Sequence, residues 1–222
     1  MKNKYVPFFL LLLGFVCTAC SSEQRGLAEL KRLCEKDAGL TIYKTVEANG
    51  FYNAYSSSGI TDYLIEGPYK FYEFCDDSPS LSKYHLFPES GCFRVKKTNR
   101  VDGQCNERVD KALSKHIVGP YPEFLQEYCI DVEKINKPEA RYTYNEQLDK
   151  WLANNKYSEF IRIEVSIEGR VSNEILGQYI SYSYNVRPRH SSPKSCRLLD
   201  KKYSASIKED LIEKTIVTHK EK

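Results

Sequence analysis

Alternation of apolar and polar residues is sharpest at Ile161-Arg162-Ile163-Glu164-Val165-Ser166-Ile167-Glu168. Four branched apolar residues point one way and four polar residues the other, which predicts a strand with one dry and one wet face, as in antiparallel sheets. Gly169-Arg170 then turns the chain, and Ile175 to Tyr184 brings it back with Ile180, Tyr182 and Tyr184 on one face. Gly177 inside this return segment suggests a bulge. Leu40 to Val46 also alternates, and Asn49-Gly50 separates it from Phe51 to Tyr55, a hairpin cue. Tyr69–Phe74, Cys92–Lys97, Tyr128–Glu133 and Arg141–Tyr144 read as further strands, with a polar connection over Asp76–Glu89.

Helical spacing marks three other places. Leu27, Leu30, Leu33 and Cys34 recur on one face and Gly39 is a stop, so a helix is predicted over 23–38. Leu148, Trp151 and Leu152 predict a short helix over Asn145–Ala153. Ser206-Ile207-Lys208-Glu209 has the form of a capping box, with Ile207, Leu211 and Thr215 along one side of a final helix. Val109, Ala112, Leu113 and His116 suit a helix or a strand. The sum is one α+β domain over 23–219: an antiparallel sheet with N-terminal and C-terminal helices, and a tail at 220–222 that frays.

The start of the chain has a different pattern. Lys2 and Lys4 precede an almost wholly apolar run from Tyr5 to Val16, with no acid before Glu23. Twelve helical residues reach about 18 Å, short of the roughly 30 Å of bilayer hydrocarbon. A charged start, a short apolar core and small residues after it are the layout of a secretory signal. It ends Val16-Cys17-Thr18-Ala19-Cys20-Ser21-Ser22, which resembles the lipobox of bacterial lipoproteins. Thr18 and Ala19 match the small positions before the modified cysteine, and Cys20 matches that cysteine. Cys17 stands where the family usually has Leu. The resemblance implies that residues 1–19 are a signal peptide, that Cys20 carries lipid, and that 20–22 are the lipidated N-terminus and tether. Two or more acyl chains make a stable anchor. The family's inner-membrane retention signal, Asp after the cysteine, is replaced by Ser21, which implies the outer membrane, facing the periplasm. Cys17-x-x-Cys20 also has the spacing of a thiol redox pair, but such a pair needs a folded electropositive setting. The segment Cys34 to Val46 resembles the start of certain uncharacterised exported bacterial proteins, and it implies no catalytic residue.

Charge and cysteine content narrow the picture. The formal net charge is +3, and +1 once Lys2 and Lys4 leave with the signal. No concentrated basic face is evident, so nucleic acid is not an expected partner. Cys34, Cys75, Cys92, Cys105, Cys129 and Cys196 remain after Cys17 and Cys20 are set aside, an even number that argues for three disulfides in an exported chain. Six cysteines allow fifteen pairings; Cys92–Cys105, Cys75–Cys129 and Cys34–Cys196 are the preferred set.

Catalytic signatures are missing from the sequence. His85, His116, His190 and His219 have no metal-ligand spacing, and there is no nucleophile elbow, phosphate loop or dinucleotide fingerprint. Ser58 before Gly59 has no local support as a nucleophile, and adjacent Asp76 and Asp77 read as a solvated loop. No catalytic residue, metal or cofactor is assigned. Tyrosine is abundant, with 17 residues against one tryptophan. If Tyr142, Tyr144, Tyr182 and Tyr184 lie on neighbouring strands, they line an aromatic groove. The leading expectation is a non-enzymatic, membrane-anchored envelope lipoprotein that binds a protein, glycan or lipid partner or serves a structural role. A small-ligand carrier with a Tyr-lined groove and a periplasmic hydrolase are the alternatives.

Overall fold

The computed structural model describes residues 23–55, 60–76, 89–101, 103–115, 121–153, 158–186, 193–199 and 207–218. The fold is α+β, with one large, mostly antiparallel sheet and helices at both ends. Helix α1 (23–37) is followed by β1 (Gly39–Ile42), β2 (Val46–Glu47), β3 (Gly50–Asn53) and a π-helical turn at Ile60–Ile65. Then come β4 (Phe71–Asp76), β5 (Gly91–Asn99), α2 (Glu107–Ser114), α3 (Pro122–Glu127) and β6 (Tyr128–Ile135). Three long strands follow, β7 (Tyr142–Leu152), β8 (Ser158–Gly169) and β9 (Ile175–Val186). The chain continues through β10 (Lys194–Ser195), α4 (Cys196–Leu199), α5 (Ile207–Thr215) and β11 (Ile216–Val217). The sheet order is β1-β9-β8-β7-β3-β4-β5-β6, with β10 on β9; β11 and β2 form a separate parallel pair.

The chain divides into two compact units. The first takes residues through Leu40, Gln147–Glu164 and Tyr179–Ala205; the second takes Thr41–Glu146, Val165–Gln178 and the chain from Ser206. Strands β1, β7, β8 and β9 each contribute residues to both.

In the first unit, the helical spacing of α1 buries Leu30, Leu33 and Cys34 against Phe160, Ile180, Tyr182 and Tyr184. This bears out the shared face of Ile180, Tyr182 and Tyr184. Gly39 ends the helix at φ 126°, a left-handed conformation that other residues resist. The disulfide Cys34–Cys196 closes this core from α1 to α4.

The second unit has an aromatic core. Phe51 meets Tyr63 and Tyr69 edge-on at 4.9 and 5.3 Å, and contacts continue through Tyr72 and Phe74 to Phe93. Quadrupoles favour such tilted and edge arrangements. The Tyr69 hydroxyl, buried, donates to the Ile216 carbonyl at 3.0 Å. Burial raises the Tyr69 phenol far above its ordinary value. Helix α2 is capped by the Asn106 side chain, which accepts from Arg108 N and Val109 N, and it buries Val109, Ala112 and Leu113.

Several expectations are corrected. Residues 145–152 belong to β7, not to a helix. The i, i+3, i+4 spacing of Leu148, Trp151 and Leu152 is not a core stripe, since all three are exposed. Asn49-Gly50 is not a hairpin: β1 pairs with β9, and β3 runs parallel to β4 and β7. Gly50 is needed because a Cβ there would lie 2.1 Å from the Phe71 backbone oxygen. At Gly177, a Cβ would meet Thr215 Oγ1 at 2.5 Å and Leu211 Cδ1 at 2.9 Å, so this glycine admits α5. The dry-and-wet pattern of β8 also fails near its end, where Val165, Ser166 and Ile167 are all buried.

All six cysteines are paired, as Cys34–Cys196, Cys75–Cys92 and Cys105–Cys129. The first pair was expected and the other two were not. Register explains why. Cys75 sits directly opposite Cys92 on β4 and β5, whereas Cys129 sits opposite Thr98. Six residues of strand separate those two positions on β5, about 20 Å, too far for Cys75 to reach Cys129.

Candidate functional site

A cleft of about 750 Å³ opens in the first unit. Arg25, Gly26, Ala28, Glu29 and Arg32 of α1 form one wall. Trp151, Leu152 and Ala153 at the end of β7, with Phe160 of β8 and Tyr184 of β9, form the other. Helix α1 comes this close because Gly26 has no side chain: a Cβ would lie 2.2 Å from Tyr184 Cζ. The aromatic wall is a packed stack. Trp151 lies on Phe160 at 5.7 Å, Phe160 lies against Tyr184 at 5.0 Å, and Tyr182 meets Trp151 edge-on at 6.3 Å. Trp151 remains 38% exposed and Leu152 66% exposed at the rim.

The helical wall is polar. Glu29 accepts from Arg32 Nε at 2.8 Å and from Arg32 Nη2 at 2.7 Å, an i,i+3 fork. Hydrogen bonding from Arg32 holds the Glu29 carboxyl below its usual range. That fork leaves the Nη1 donors of Arg32 unengaged by Glu29. Behind the cleft, the Tyr184 hydroxyl donates to Ser158 Oγ at 3.3 Å, and the Tyr182 hydroxyl donates to Asp37 Oδ1 at 2.9 Å. Burial, then the bond to Asp37, raises the Tyr182 phenol.

No family model, curated protein or solved structure matches the chain.

Of the four tyrosines expected to share a groove, Tyr182 and Tyr184 lie together in the first unit, and Tyr184 reaches the cleft. Tyr142 and Tyr144 belong to the second unit. There Tyr144 is buried beside Phe51 and donates to Glu146 at 3.5 Å; burial is the main cause raising its phenol. Cys20, the expected lipid site, lies outside the described residues, as do His85, His116, His190, His219, Ser58 and Asp77. Among the described residues, no cluster of three or more His, Cys, Asp or Glu has the arrangement of a metal site. Among them, too, no helix is long and apolar enough to cross a membrane.

A second polar feature was not foreseen. Glu73 is fully buried on β4. Its Oε1 accepts from Arg94 Nε at 2.9 Å and from Arg94 Nη2, and its Oε2 accepts from the backbone N–H groups of Glu139 and Ala140 at 2.7 and 2.9 Å. Arg94, opposite Glu73 on β5, also reaches Glu139 at 2.8 Å. Every carboxylate oxygen is satisfied within the fold, so this network is structural. The only hint in the sequence is an acid inside the apolar run Phe71-Tyr72-Glu73-Phe74.

Proposed function

We propose that this protein is a lipid-anchored binding module of the bacterial cell envelope, held in the membrane through Cys20 and facing the periplasm from the outer membrane. The lipobox-like segment Thr18-Ala19-Cys20 supports the anchor. Three disulfides suit an oxidising compartment. The observation that carries the binding role is the cleft, with an aromatic wall facing a wall that carries two arginines. It is a recognition surface: large rigid rings supply contact area, and fixed cations supply orientation.

Mass spectrometry of protein purified from membranes tests the anchor. The expected species begins at Cys20, lacks residues 1–19 and carries acyl chains. A Cys20→Ser protein that keeps the wild-type mass and still pellets with membranes overturns the proposal. A small-ligand carrier is the second reading, favoured by a cleft volume within the range of small-molecule sites. Native mass spectrometry separates the two, because a carrier emerges with a discrete bound mass.

A further inference from the structure

We infer that the rim of this cleft docks on the bilayer that holds the anchor, with Arg25 and Arg32 on anionic lipid phosphates and Trp151 and Leu152 in the interfacial layer. The inference rests on the Cys20 anchor and adds a lipid surface as the partner.

Chain length supports it. Three residue steps separate Cys20 from Glu23, the first residue of α1, and they span at most about 11 Å. Arg25 and Gly26 lie in the first turn of that helix. A lipid on Cys20 therefore holds this wall of the cleft close to the headgroups, at high effective concentration.

The rim chemistry matches the same surface. Tryptophan is favoured where an apolar region meets a polar one, and Trp151 is presented by a fixed stack on Phe160. Leu152 next to it is two-thirds exposed, a poor arrangement in water and a good one in a headgroup layer. The arginines stand on the facing wall of the same cleft, where phosphate oxygens can take guanidinium donors.

Other occupants fit less well. Sugar hydroxyls need acceptors as well as rings, and the one carboxylate in the lining, Glu29, is taken up by Arg32. An added peptide strand along the end of β7 would meet Asp149 and Lys150, charges that discourage edge pairing.

Trp151 is the only tryptophan in the chain, so its fluorescence reports the rim alone. The acylated protein is reconstituted into phosphatidylethanolamine vesicles containing phosphatidylglycerol, with or without brominated acyl chains. Brominated lipid should quench Trp151 emission by about twofold, because interfacial side chains sit within several ångströms of the acyl boundary. Leu152→Asp, at an exposed position, should restore most of the lost intensity while the protein still floats with the vesicles. Flotation with an unquenched Trp151 overturns the inference and leaves the anchor standing. Failure to float removes the anchor, and this inference with it. Emission that responds to soluble muropeptides, to peptides or to inorganic phosphate, and not to brominated lipid, also overturns it.

Discussion

The two units solve the same problem with unequal means. The second has a continuous aromatic core, two disulfides and a buried Glu73–Arg94 pair. The first packs α1 and the short α4 on strand segments with one disulfide, and it leaves Trp151 and Leu152 exposed at its cleft; apolar residues exposed in the second unit, such as Val101 and Val171, line no such cleft. A small core cannot cover all of its apolar residues. Exposed apolar side chains gathered at one cleft, unlike ones scattered singly, are what the proposed binding role uses.

Breaking Cys34–Cys196 should have the largest effect. It closes a loop with a sequence separation of 162. In the chain-entropy treatment, a loop of that size contributes about 5 kcal/mol, against about 3 kcal/mol for a loop the size of Cys75–Cys92. Cys34→Ser with Cys196→Ser should lower the denaturant midpoint more than Cys75→Ser with Cys92→Ser. Equal losses would remove the asymmetry between the units.

Glu73→Ala comes next. It strips Arg94 of a buried partner and leaves the N–H groups of Glu139 and Ala140 without an acceptor. About 3 kcal/mol should be lost, read by chemical denaturation. Protection of amides in the second unit should fall first in hydrogen exchange.

Gly26→Ala sets two effects against each other. Alanine gains about 1 kcal/mol of helix propensity over glycine. The new methyl would sit 2.2 Å from the ring of buried Tyr184, and overpacking of this kind costs about 1–3 kcal/mol. A net loss is expected, with a shift in Trp151 emission as the cleft wall moves. A net gain would show that α1 is loosely seated.

The smallest effect is electrostatic. Glu29 has a lowered carboxyl pKa, so its pairing stabilises the folded state above the unfolded value of about 4.3 and is lost as pH falls through the folded one. Carbon-detected NMR titration should place its midpoint below that of an ordinary glutamate. Arg32→Gln should return the midpoint to normal.

The legible parts of the fold were those set by local pattern. The existence of β8, the alternation in β9, the Gly169 turn and the helix stop at Gly39 needed only short-range signals. The end of β7 misled because Leu148, Trp151 and Leu152 have helical spacing without a core to face. Gly50 misled because a close backbone approach and a tight turn ask for the same residue. The disulfides of the second unit depended on strand register, which spacing does not encode. Of the cleft, only Tyr184 was singled out in advance. Arg25 and Arg32 carried no signal of their own, and Trp151 was placed in a short helix, because no local pattern brings residues 25 and 151 together.

Each unit is stitched from three separated stretches of polypeptide. Neither can be expressed as a continuous fragment, and a premature stop before Leu211 deprives the second unit of three buried core residues, Leu211, Ile212 and Ile216. A chain of this design folds late, after nearly all of it has been delivered. On the proposed export route, such a chain would have to cross the membrane unfolded and close only once its last helix is across.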